Sequence, residues 1–361
     1  QLWATFCTTA LARCSDEGWQ ANVLLTLGNV ALRAGDMNQA ETAARKKLEL
    51  DRAADRDREA ALANGLIADI FEARGELDEA LRILGFHYAD EVSSKVHLAF
   101  EQVSRLFEGQ FPGYRACLAE YHDLRHTLQV FLTAARLLDG HNLTLVFLPE
   151  SLALCLLLAA LLHDAGYIQE EWDTEGTGAR YGQRHEERSI EFLRRNGELL
   201  EIEGEDREIV ARLIEGTDLK RDFAAIAFGS RQEQTAAALL ATADLLGQMG
   251  DREYLEKLLF LYYEFREAGV AGYQTEFDIL RKTRDFYGAT RERLENVLSG
   301  AYRFAQAHFR ERHGKDENLY MVAIERQMAY LDQIIADNSS NFRSKLRRGD
   351  SAKRQRYSRR P

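Results

Sequence analysis

The chain has 361 residues, is 45% apolar and 29% charged, and carries a formal net charge of −11. This is the make-up of a soluble globular protein with room for two or three domains. The acidic balance argues against nucleic-acid binding by the folded part. With only three prolines and long unbroken periodic stretches, the expected fold class is all-α. The longest apolar run, Leu152 to Leu162, is shorter than the roughly 20 residues a bilayer span requires. Cys7, Cys14, Cys117 and Cys155 show no CxxC spacing and read as free thiols in a reducing, cytoplasmic compartment. The chain opens at Gln1 already in a helical pattern, with no signal peptide, and is read as a fragment with sequence missing upstream.

Residues 1–88 hold two similar segments. One runs from Leu27 through Gly35 to Gln39-Ala40, the other from Ile67 through Gly75 to Glu79-Ala80. Small residues let two antiparallel helices approach, and the Gly ends the first of them. The pair resembles tetratricopeptide repeats, although its offset of 40 residues exceeds the usual ~34. A plain pair of helical hairpins reads equally well. Either way the module is expected to bind a protein partner or act as a spacer.

Residues 89–340 carry the polar pattern of interest. His122 and His126 are four apart and are expected on one helix face, followed by the apolar stripe Leu128, Leu132 and Ala135. An apolar helix then ends in His163-Asp164, which offers a nitrogen and an oxygen to one point, as a divalent metal requires. Asp244 stands between Ala243 and Leu245 inside the helix expected from Gln232 to Met249, where a lone carboxylate is costly. His185 opens one helix and Asp218 follows another; each is a candidate second-metal or substrate group, or simply a helix-end residue. Phe277 to Arg312 reads as one long helix or two, and Glu317 to Ala336 as another. Arg284, Phe286 and Tyr287 are read as packing residues first and substrate contacts second.

In order, His122-x-x-x-His126, His163-Asp164, Thr217-Asp218 and Ala243-Asp244-Leu245 resemble the HD-domain metal-dependent phosphohydrolases. Within these the closest resemblance, over about Tyr114 to Ala268, is to the catalytic domain of class I cyclic-nucleotide phosphodiesterases. The resemblance implies a helical bundle with His126, His163, Asp164 and Asp244 as metal ligands and His122 as general acid. It implies one or two divalent ions (Zn, Mn, Fe or Mg) and a small phosphorylated substrate, a nucleotide first. Asp123 stands where that family has Asn, and residues 277–287 hold no counterpart of its Gln-x-x-Phe purine clamp. Asp123 or another nearby carboxylate is expected to keep His122 protonated. The alternatives are a nucleotide phosphomonoesterase, or a non-catalytic ligand-binding module joined to a repeat adaptor.

Residues 341–361 are read as a basic tail, expected to be flexible and most simply solvated. From Arg343 onward nine Lys and Arg stand against one Asp. This is the one place where nucleic acid, anionic lipid or an acidic partner would be met.

Overall fold

The computed structural model describes residues 20, 23–24, 42–47, 49, 75–337 and 342–346. Of the two repeat-like segments only residues 75–80 fall among these, and they are helical. The rest of the repeats, Cys7, Cys14 and the tail from residue 347 lie outside them, while Phe342–Lys345, expected as flexible tail, is a short helix held by Tyr330, whose hydroxyl donates to Lys345 O at 2.6 Å.

Ten helices carry the architecture of the described residues, after a helix over residues 75–84. They are α1 (Asp90–Phe107), α2 (Leu124–Thr144), α3 (Glu150–Leu162), α4 (His185–Asn196), α5 (Gly204–Glu215), α6 (Arg231–Gly250), α7 (Tyr254–Glu267), α8 (Glu276–Glu292), α9 (Phe304–His313) and α10 (Leu319–Ala336). No strand occurs among the described residues; β-type pairing there is limited to two isolated bridges, Glu108 with Ala116 and Tyr114 with Glu170.

Helix α3 explains the layout. Eleven of its thirteen residues are buried, because it is apolar on every side and must be surrounded. Helices α1, α2, α5 and α6 surround it. The segment Glu150–Tyr167 is apolar enough to span a bilayer by composition alone, yet 83% of it is buried inside the protein. Its apolarity is therefore used in packing. Helix α2 also packs on α6 and α9. Gly140 makes the second contact possible: a Cβ there would lie 1.8 Å from the Phe304 carbonyl oxygen.

Side-chain caps set several helix starts. Ser230 accepts from Glu233 N at 3.1 Å to open α6, and Asn318 accepts from Met321 N at 3.2 Å to open α10. Thr275 and Asp278 form a reciprocal capping box at α8. Each satisfies amide groups that the helix itself leaves unpaired. The stretch expected as one or two helices from Phe277 is broken by a wide π turn, Arg293–Val297, before α9 begins. Tyr287 is buried and its hydroxyl pairs with Glu325 of α10, while Arg284 Nε lies 3.4 Å from Asp332 on the same helix. Both side chains thus have partners on α10.

Candidate metal centre

Because α3 is apolar throughout, the first polar side chains it offers stand where it stops. His163 keeps helical dihedrals, Asp164 turns away at φ −105° and ψ 7°, and a 3-10 turn, Ala165–Tyr167, follows. Both side chains are buried. The turn needs Gly166: a Cβ at that position would lie 1.9 Å from the His185 carbonyl oxygen. This close approach brings the start of α4 against the His163-Asp164 corner. Ser189 of α4 locks the contact, donating to His163 O at 2.6 Å and accepting from Gly166 N at 2.8 Å.

The pair meets His126 from α2 and Asp244 from α6. His126 Nε2 is 3.3 Å from Asp164 Oδ2 and 3.5 Å from Asp244 Oδ1. His163 Nε2 is 3.4 Å from Asp164 Oδ2 and 3.9 Å from Asp244 Oδ1. A tetrahedral ion with ligands at about 2.1 Å spaces its ligand atoms about 3.4 Å apart. The donors themselves fit such an ion. His163 Nδ1 donates to the Ala160 carbonyl at 2.9 Å, which leaves the Nε2 lone pair facing the cluster. His163 Nε2 and Asp164 Oδ2 are buried with no hydrogen-bond partner, a costly state unless a cation satisfies them.

The electrostatics agree. Burial alone would lower the His126 pKa, but Asp164 and Asp244 outweigh it and push it up to about 10. Burial would raise Asp164, yet His163, His126 and His122 hold it well below the usual carboxylate range. Asp244 is lowered in the same way, against burial and the repulsion of Asp164. The two carboxylates hold a positive charge between them, which a proton or a metal ion can provide.

Asp164 divides its oxygens between histidines. Oδ2 serves His126 and His163, while Oδ1 lies 3.5 Å from His185 Nε2. His185 Nδ1 is itself fixed 3.0 Å from the Gly182 carbonyl. His185 therefore joins the site from the first turn of α4. Asp218 does not: its Oδ1 accepts from Lys220 N at 2.8 Å, capping the turn after α5. Its influence is through charge. Burial, then Asp218, Asp164 and Asp244, push the neighbouring Glu186 up to about 7.

His122 is not on the α2 helix, contrary to the i, i+4 expectation. Asp123 caps α2, its Oδ1 accepting from His126 N at 2.9 Å, so the helix starts at Leu124 and His122 precedes it. A capped helix start spends this Asp on the backbone, and Asp123 is therefore not the partner of His122. That partner is Glu264 of α7, whose Oε2 lies 2.6 Å from His122 Nδ1 and whose Oε1 accepts from Tyr121 N at 2.7 Å. Burial would lower His122, but Glu264 outweighs it and raises the pKa above the ordinary value. Tyr167 stacks against two imidazoles, with ring centroids 4.2 Å from His122 and 4.7 Å from His185, and those two are 6.1 Å from each other.

Two residues were missed by sequence reasoning. Glu264 carries one available signal, its place in the aromatic and acidic run Tyr262-Tyr263-Glu264-Phe265, which belongs to the resemblance but was given no role. Arg293 carries none. It sits in the π turn, donates to Gly216 O at 3.1 Å and lies in the field of Asp218 and Asp244, its pKa lowered first by burial. Cys117 and Cys155 are free thiols that burial pushes well up, so neither is poised as a nucleophile.

No curated protein matches the chain. The sequence pattern of the Npun_R2479-like family matches residues 110–298. That span, just over half of the chain, contains His122, His126, His163, Asp164, His185, Asp244, Glu264 and Arg293. The chain belongs to the Npun_R2479-like family.

Proposed function

We propose that the protein is a metal-dependent phosphoric ester hydrolase of the HD type, acting on a phosphodiester of the nucleotide class. The observation that supports this reading most is the meeting of His126, His163 and Asp164, whose ligand atoms lie within 4.8 Å of one another, with Asp244 3.5 Å from His126 and two buried atoms of the group unsatisfied. The order of the motifs supports it as well. These four side chains would hold one divalent ion, and Asp164 Oδ1 with His185 Nε2 would help to hold a second. A divalent ion bound there supplies Lewis acidity, offsetting the charge on a phosphoryl group and lowering the pKa of water.

The chain's own residues do the rest. His122 Nδ1 donates to Glu264, so the proton at Nε2 is the one available for transfer. Glu264 favours the imidazolium, which suits a general acid that must carry a proton near neutral pH. Nε2 gives that proton to the departing alkoxide. Tyr167, stacked on the ring and with its hydroxyl 3.5 Å from Nε2, limits how the imidazole can turn.

The test is metal content of the purified protein, followed by assays on cyclic mononucleotides, cyclic dinucleotides and nucleoside monophosphates. The expected result is stoichiometric divalent metal and hydrolysis of a diester. Release of phosphate from monophosphates alone would move the reading to a monoesterase. Protein that binds no divalent ion under any condition would sink both.

A further inference from the structure

We propose that Glu79, His308 and His313 form a second, separate metal site, which takes one zinc ion or a similar borderline transition metal and clamps the helix of residues 75–84 to α9. Nothing in the hydrolase reading uses these residues. His308 is 1% exposed. Its Nδ1 is 2.7 Å from Asp139 Oδ2, and its Nε2 is buried with no hydrogen-bond partner. An imidazole held by a carboxylate at one nitrogen and open at the other is the usual arrangement behind a metal ligand.

The open nitrogen faces two more donors. Glu79 Oε1 lies 4.0 Å from His308 Nε2 and 4.0 Å from His313 Nε2. One ligand atom from each of the three residues falls within 4.8 Å of the others. The neutral ring donates through Nδ1 to the Asp139 carboxylate, which leaves the lone pair on Nε2. A carboxylate oxygen and an imidazole lone pair are both acceptors, and neither can satisfy the other. A cation satisfies His308 Nε2, with Glu79 Oε1, which Arg136 also holds, as a second donor. Two nitrogens and one oxygen are a donor set that zinc accepts.

The surroundings are built to hold the ligands. Arg136 Nε and Nη2 grip the two oxygens of Glu79 at 2.8 Å each, which fixes the carboxylate. Asp139 accepts from Arg312 at 2.7 and 3.0 Å and from His87 Nε2 at 2.6 Å, which fixes the residue that orients His308. Arg136 and Arg312 are thus each matched by a carboxylate. His313 ends α9 with 37% of its side chain exposed, so an ion has a way in and solvent can supply a fourth ligand.

The experiment compares zinc stoichiometry of the metal-stripped whole chain with that of His313→Ala, by titration and elemental analysis. His313 is at the surface, so its loss does not threaten the fold. Wild type should bind one equivalent more than the variant, and zinc should raise the thermal midpoint of wild type by more than that of His313→Ala. Glu79→Gln should lose the same equivalent. The count is a difference, so it reads the same whether or not the His126 cluster holds its own ion. Equal zinc content in wild type and His313→Ala would overturn the proposal.

Discussion

His122 Nδ1 lies 2.6 Å from Glu264 Oε2, across 142 residues of chain. The contact joins the bend before α2 to α7 and sets the protonation of the proposed acid. The sign follows from the raised His122 pKa. The imidazolium is present below that pKa and is lost as pH rises through it, so turnover should fall on the alkaline side. Glu264→Gln keeps the size and removes the charge. The alkaline limb of its pH–rate profile should move to lower pH while metal content stays unchanged. An alkaline limb that does not move would free His122 of this role.

The all-α class was readable from long periodic stretches with few prolines, and the His126, His163, Asp164 and Asp244 set from the order of motifs that resembles the HD-domain hydrolases. An imidazole or carboxylate among Leu and Ala has few reasons to be there. Helix α3 is the clearest case, since its sequence leaves only its end for chemistry. His122 was assigned to the wrong element for a local reason. Asp123 followed by a periodic stretch is also a helix-start signal, and taking it as such would have placed His122 outside α2. Glu264 meets His122 only through the tertiary packing of α7, which spacing does not encode. Arg293 depends on a π turn, a backbone insertion with no residue signature here.

Removing a ligand and removing the acid should have different consequences. Asp164→Asn takes away the carboxylate that faces His126, His163 and His185. It should lose both bound metal and activity. His122→Ala leaves those three contacts alone. It should keep its metal and lose turnover by about 10²–10⁴-fold, the usual worth of a general acid. Elemental analysis beside a diesterase assay separates the two. Metal loss in His122→Ala would show that it is a ligand.

Gly166 tests the corner that positions the site. An added methyl group would meet the His185 carbonyl at 1.9 Å and the Arg188 Cβ at 2.9 Å. Neither is the loose end of a long side chain, so α4 must shift. Gly166→Ala should lose about 1–3 kcal/mol of stability, the usual cost of overpacking. It should also weaken metal binding, because His185 and Ser189 move with α4. Denaturant unfolding and metal titration read the two effects. A variant as stable as wild type would mean the turn relaxes without moving α4.

Asp139 holds the far side of the bundle, and its behaviour with pH can be argued from its partners. The carboxylate is fully buried and accepts from His87, His308 and twice from Arg312. Burial would raise its pKa, but these bonds more than offset that and lower it strongly. An acid depressed on folding stabilises the native state above its unfolded pKa, about 3.9 for Asp. That stability is lost as pH falls through the folded value. Asp139→Asn keeps the shape but leaves the partly exposed Arg312 without its counter-charge and weakens the bonds that Asp139 accepts, at a cost of about 1–3 kcal/mol. The deficit against wild type should be constant above about pH 5 and should shrink on acidification below about pH 4, where wild type begins to give up the same interaction. Urea unfolding of both proteins at pH 7, 5 and 3, with zinc chelated throughout, reads the difference. No deficit at pH 7 would mean that the charge of Asp139 contributes nothing and that its shape alone matters.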